Sequence, residues 1–506
     1  MSVTVEEFKQ KHENWKQTQS VATVPQLMAV LRKWLYLESS DREFIEVILA
    51  ASLDREVPGD PVWLYAVAPP GGLKSELLRA IGSAYKKAFT LDTLTPATFV
   101  SGVAEKNKES GEWEPIAGLL QDLDGKTLIV KDFTTILNAN EDTRTEIYGQ
   151  LRSIYDGYFE RGYGTMRRKV SVNAIIGLVV GVTPIVDRYT KLQGALGERF
   201  LKIRNEPDRI EATKQAMRNE GRETQMRVEI RNAIESLIKS LDFTHVPALT
   251  EEQNNYLIQL AHATATLRSA TWNEYDVNGH IVDSTPTIEI PTRLVKQLRH
   301  LTKLIGILRR HPEITEEDLK TIQRVAHDTV HPKRMKIIDF MYRNGKTNQY
   351  TAQDLAGATG IYRNSLNGHL LTLEALGVLE MDDRGDYGIK PSYLPTIEAL
   401  YTTLPGVTLQ TEPDLSLFSK VTPERIAPTL RDRLQELTST LTNLQFNVCH
   451  GAVQECLVSL SLGWTHDEYQ RIRDTAKRDG TVFSPRPFFL GATRPSIFQE
   501  PTEEAS

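Results

Sequence analysis

Cysteine is nearly absent: the 506 residues include two, Cys449 and Cys456. Their spacing suggests neither a zinc site nor a redox pair, and on an amphipathic helix the expectation is buried thiols in a reducing cytosol. Long apolar runs are also missing. The richest, residues 174–186, stops at Asp187 and Arg188, short of the roughly 18 to 20 residues of a membrane span, so no membrane partner is expected. Residues 1–19 are polar and mixed in charge, unlike a secretory leader, and the expected location is cytoplasmic. There is no excess of positive charge either. Sixty Lys and Arg face 66 Asp and Glu, a net charge of −6, so any contact with nucleic acid must come from local basic patches.

What remains is an ordinary globular composition, 40% hydrophobic and 25% charged, in a chain long enough for several domains. Helical periodicity in Leu27, Val30, Leu31 and Leu35, and again from Phe44 to Ile48, predicts a helical lead-in over 1–56. A Pro-Gly break at 57–61 then precedes the apolar run 62–67, which has the length of a buried strand. A helix over 75–88, strands at 127–130 and 174–182 and the elements between them predict an α/β layer fold with a parallel sheet over 57–206. Residues 207–330 read as a helical lid interrupted by a polar loop at 273–287. Three helices and a hairpin are expected over 331–391. The remainder, 392–506, carries one amphipathic helix, 426–444, and ends in a polar tail.

The turn Ala68-Pro69-Pro70-Gly71-Gly72-Leu73-Lys74-Ser75 follows a strand and opens a helix. The turn Pro70-Gly71-Gly72-Leu73-Lys74-Ser75 can hold phosphate oxygens there through the backbone N–H groups that follow Pro70 and the helix N-terminus, with Lys74 on the outer phosphates and Ser75 on Mg2+. Ala68 and Leu73 stand where the usual G-x-x-x-x-G-K-[ST] has glycine, so a plain strand-turn-helix with a capping serine is the alternative.

Downstream, Thr127-Leu128-Ile129-Val130-Lys131-Asp132-Phe133 resembles the Walker B strand of the AAA+ ATPases. That strand ends in two acids, one for the metal shell and one to activate water; this chain has Asp132 alone. Alignment puts either Lys131 and Asp132, or Asp132 and Phe133, at the two positions. Residues 150–183 resemble the helix, hairpin and sensor strand of bacterial enhancer-binding activators and minichromosome-maintenance helicases, the pre-sensor-1 hairpin group of AAA+ proteins, with Thr183 as the sensor residue. Leu196-Gly197-Glu198-Arg199-Phe200 is similar to their arginine-finger segment, and residues 291–319 to their lid helices, with sensor 2 among Arg293, Lys296 and Arg299 and Arg293 favoured. The general style is also that of uncharacterised ATP-binding proteins of phages and mobile elements.

The resemblance implies a three-layer P-loop core with ATP and Mg2+ as cofactors. Ser75 and Asp132 would hold the metal, and catalytic roles would fall to Asp132, Thr183, Arg199 and Arg293. It also implies a homo-oligomeric, hexameric ring. Arg161, Arg167, Arg168 and Lys169, set among Tyr158, Phe159 and Tyr163, would meet DNA in its channel. Residues 331–391 resemble a winged helix-turn-helix presenting Tyr362, Arg363, Asn364, Asn367 and His369 to a groove, a fold that also serves protein contacts. The function expected is a DNA-dependent ATPase, a helicase or replication motor of a mobile element. The alternatives are an ATP-switched DNA-binding initiator or regulator, and a phage-defence ATPase acting on a partner protein.

Overall fold

Every side chain of the strand Trp63–Val67 (β1) is buried, and its alternation assigns them to two separate cores. Leu64 and Ala66 pack on one face of the sheet, and Trp63, Tyr65 and Val67 on the other. Apolar residues at every position are the mark of a strand covered on both sides. The computed structural model describes residues 21–71, 73–99, 104–106, 113–115, 118–163, 168–189, 198–275 and 281–402.

The helix Leu73–Ala84 (α1) and the strand Ala88–Leu91 (β2) follow. Then come Thr127–Val130 (β3), Gly177–Val182 (β4) and Phe200–Arg204 (β5). These strands form one five-stranded sheet in the order β2-β3-β4-β1-β5, parallel throughout. The helix Glu141–Tyr155 (α2) covers the Trp63 and Tyr65 face, while Asp41–Ser52 (α3) and α1 cover the other. The α/β class with a parallel sheet and helices on both faces is therefore observed.

Three boundaries differ from expectation. α1 ends at Ala84, and Ala88, read as its last residue, begins the half-buried edge strand β2. β5 continues the sheet beyond β1, although Lys202 and Arg204 interrupt its apolar run. The polar stretch within 270–287 is no loop: Ala270–Tyr275 and Ile281–Thr287 pair as an antiparallel hairpin.

Helices Arg209–Arg218, Glu223–Lys239, Glu251–Arg268 (α4), Thr292–Arg309 (α5) and Glu316–Thr329 (α6) make up most of 207–330. Thr250 and Thr315 open α4 and α6 with capping boxes to Gln253 and Asp318, which pair otherwise orphaned N–H groups. Beyond them, Pro332–Arg343 (α7), Ala352–Thr359 (α8) and Arg363–Ala375 (α9) precede a two-stranded antiparallel hairpin, Leu379–Met381 with Tyr387–Ile389. Thr351 caps α8, and Gly360 at φ +66° supplies the left-handed turn to α9. The lead-in helices, one face of the sheet, the lid helices and α7 to α9 contribute to one continuous apolar core running from Val21 to Leu400. The expected helix at 426–444, both cysteines, Gly72, Arg167, Leu196 and Gly197 lie outside the described residues.

Candidate functional site

In an open α/β sheet ligands bind outside the carboxyl ends of the strands. β1 ends there: Ala68 N–H donates to the Val182 carbonyl at 3.1 Å, and the chain turns through Gly71, whose φ of +77° favours glycine. Pro70 and Gly71 are exposed on this turn, and α1 begins at Leu73, so Lys74 and the exposed Ser75 stand in its first turn. Leu73, in the place of a framework glycine, is buried with its side chain in the core. Lys74 is also buried, and its Nζ donates to the carbonyls of Val182 at 3.0 Å and Ala68 at 3.3 Å. Burial lowers its pKa, opposed by the charge of Asp132.

The turn after β3 decides how its single acid is used. Lys131 reaches sideways to the Asp92 carboxylate at 2.5 Å, and cannot be a cation ligand. Phe133 is fully buried against Tyr65, Tyr148 and Phe200, with its N–H donating to the Gly181 carbonyl at 2.8 Å. Asp132 alone faces solvent, and its Oδ1 accepts the Thr134 N–H at 2.9 Å. The position expected to hold a second acid after Asp132 is thus filled by a core aromatic. Thr183, the residue after Val182, is tied to the same turn: its N–H donates to Thr134 Oγ1 at 3.3 Å, and the two hydroxyls are 3.5 Å apart.

Lys74, Asp132 and Thr183 therefore share one rim of the sheet. Gly181 lets β4 pass closely under them, since a Cβ there would lie 2.5 Å from the Lys131 carbonyl and 3.2 Å from Lys74 Cδ. The residues fit a magnesium-bound triphosphate. Mg2+ at such sites takes one or two protein oxygens besides phosphate and water, which Ser75 and Asp132 would supply.

Arg199 and Arg293 are not at this rim. Arg199 immediately precedes β5, whose first residue, Phe200, pairs with Trp63 at the start of β1. The full strand Phe200–Arg204, about 13 Å from its first residue to its last, separates it from the carboxyl end. It is buried, bonded to Asp156 at 3.2 and 3.3 Å, and lies 5.6 Å from the Tyr155 ring centroid. Burial and the neighbouring Arg293 lower its pKa. Arg293 lies 5.5 Å from the same ring and donates to the Glu198 carbonyl. α5 is held at the amino end because Gln297 donates to the Arg199 and Pro61 carbonyls and His300 meets Asp54. Arg293 is thereby placed on the amino side of the sheet, away from Lys74 of the same chain. Lys296 pairs with Asp60 on the same side.

The hairpin expected between Tyr158 and Val172 is present: Tyr158–Tyr163 pairs with Arg168–Asn173, carrying Arg161, Arg168 and Lys169 on its strands. Tyr158 is half exposed, but Phe159 belongs to the core beneath and is no stacking residue. At the start of α9, Tyr362, Arg363, Asn364 and Asn367 are exposed, Tyr362 by 90%. His369, expected with them, turns inward onto His331, ring centroids 4.7 Å apart. Burial and the adjacent cations, His331 among them, push its pKa down to about 3. Thr134 and Asp92 were not singled out in the sequence; the signals available were the place of Thr134 two residues after Asp132 and that of Asp92 at a strand end. No family model matches the sequence, and no curated protein matches it.

Proposed function

We propose that the chain is an oligomeric ATP-binding protein of the AAA+ class that hydrolyses ATP with Mg2+ and acts on DNA. The observation that carries this reading is the meeting of Lys74, Asp132 and Thr183, from three different strand ends, beside a glycine turn that opens α1. A buried lysine, a solvent-facing acid and a polar strand end around a helix N-terminus are what a magnesium-bound triphosphate requires. Arg199 is too far from its own Lys74 to serve it, so a phosphate role for this arginine requires a neighbouring subunit. Three helices with a terminal hairpin, and exposed Tyr362, Arg363, Asn364 and Asn367 at the start of the third, support a winged helix-turn-helix that meets DNA.

The test is phosphate release by the full chain with and without single- and double-stranded DNA. Turnover is expected to rise with DNA and to fall by about 100-fold or more in Lys74→Ala. A rate unchanged by either nucleic acid sinks the DNA-dependent motor. A second reading, an ATP-switched DNA-binding regulator, is favoured by the burial of Phe133 at the place of the second acid. Assembly driven by a non-hydrolysable analogue, with no turnover of ATP, would decide for it.

A further inference from the structure

Hydrolysis at this site needs a group to take a proton from the attacking water, and the residue after Asp132 cannot do so because it is Phe133, fully buried. Two acids near the carboxyl rim, beyond the strands that carry Asp132, are engaged or hidden. Both oxygens of Asp187 are held by Arg204 at 2.8 and 2.9 Å, and Asp41 is buried with Oδ2 on the Glu38 N–H. Asp92 differs from both. It directly follows β2, the strand beside β3, and its carbonyl accepts the Asp132 N–H at 3.3 Å, so the two acids come from adjoining backbones. Its side chain is 84% exposed and pairs with the Lys131 ammonium at 2.5 Å. The Thr93 and Thr135 hydroxyls, 2.8 Å apart, bridge the same two turns and fix their spacing.

Resting on the ATPase reading above, we infer that Asp92, supplied by the neighbouring strand, is the general base of this site, with Lys131 as the residue that positions it. Asp92 takes a proton from a water whose oxygen bonds to the γ-phosphorus while the bond from that phosphorus to the β–γ bridging oxygen breaks. ADP leaves with the electron pair, phosphate is the second product, and the proton passes on to solvent. The labour is divided: Asp132 serves the metal and Asp92 the water.

The experiment compares wild type, Asp92→Asn, Asp92→Glu and Asp132→Asn by binding of a fluorescent ATP analogue with and without Mg2+, and by single-turnover phosphate release. Asp92→Asn is expected to bind Mg·ATP within about threefold of wild type and to lose about 100-fold or more in turnover, the range of a removed general base. Asp92→Glu keeps a carboxylate and should recover at least about tenfold over Asp92→Asn, while Asp132→Asn should lose the Mg2+-dependent part of binding. Turnover of Asp92→Asn within about threefold of wild type overturns the inference, as does a loss of Mg2+-dependent binding equal to that of Asp132→Asn, which would make Asp92 a metal ligand. A wild type that binds ATP without hydrolysing it also overturns the inference while leaving nucleotide binding intact. A wild type that binds no ATP overturns the ATPase reading itself.

Discussion

Four charged residues at the two rims of the same sheet are used in opposite ways. At the carboxyl rim Asp92 and Asp132 face water, and the backbone holds the turns that carry them. At the amino rim Arg199 and Arg268 are almost wholly buried, and each is spent on a carboxylate and an aromatic ring or backbone carbonyls. Arg268 makes two bonds of 2.8 Å to Glu289 and reaches the carbonyls of Phe200 and Glu198, where β5 begins. Exposed charge is available to a ligand, whereas buried, paired charge holds the frame together. An arginine in a promising segment therefore has to be judged by its burial and its partners, as Arg204 at the carboxyl rim, held by Asp187, also shows.

The comparison can be broken in three places. The largest effect is expected for Arg268→Ala, which strands Glu289 and two carbonyls in a buried setting and should cost about 3–5 kcal/mol in chemical denaturation; a loss below about 1 kcal/mol would mean the amino rim is not held by its charges. Next comes Gly181→Ala at the carboxyl rim. Its methyl would press on the Lys131 carbonyl and Lys74, so about 1–3 kcal/mol of stability should go, together with a measurable loss of ATP-analogue binding. Normal binding in this variant would show that the close passage of β4 has no part in shaping the site. The smallest effect is expected for Lys131→Ala. Its pair with the exposed Asp92 is worth no more than about 1 kcal/mol, so the melting curve should hardly move, and a loss like that of Arg268→Ala would erase the distinction between the rims.

Much of the frame was legible because its signals were local. The apolar run 62–67 and the strand 127–130 stand where residue pattern put them, and the hairpin over 158–173 stands where the resemblance implied it. The failures have a common cause, since pairing across the sheet is invisible to a local pattern. β2 is an edge strand only half buried, so Ala88 looked like the last turn of a helix. β5 carries Lys202, whose buried position reflects its neighbours and not its own polarity. The hairpin over 270–287 is polar enough to pass for a loop. At the site, Lys74, Asp132 and Thr183 were readable from their places after strands. Asp92 was not, because its nearness to Asp132 depends on β2 lying beside β3. The same holds for Arg293, whose place follows from the tether of α5 to Pro61 and Asp54.

Arg334 of α7 reaches the carbonyls of Leu267 and Ser269 at 2.7 Å each, where α4 runs out. Further along, the Ala399 carbonyl receives the Tyr256 hydroxyl, and Tyr401 donates to Asp339. Residues 331–402 are tied to α4 at both ends, through Arg334 and through the Ala399 carbonyl, and Tyr401 ties the second end back to α7. The end of α4 thus joins α7 to the start of β5, which Arg268 grips, so residues 331–402 and the sheet share one anchoring point.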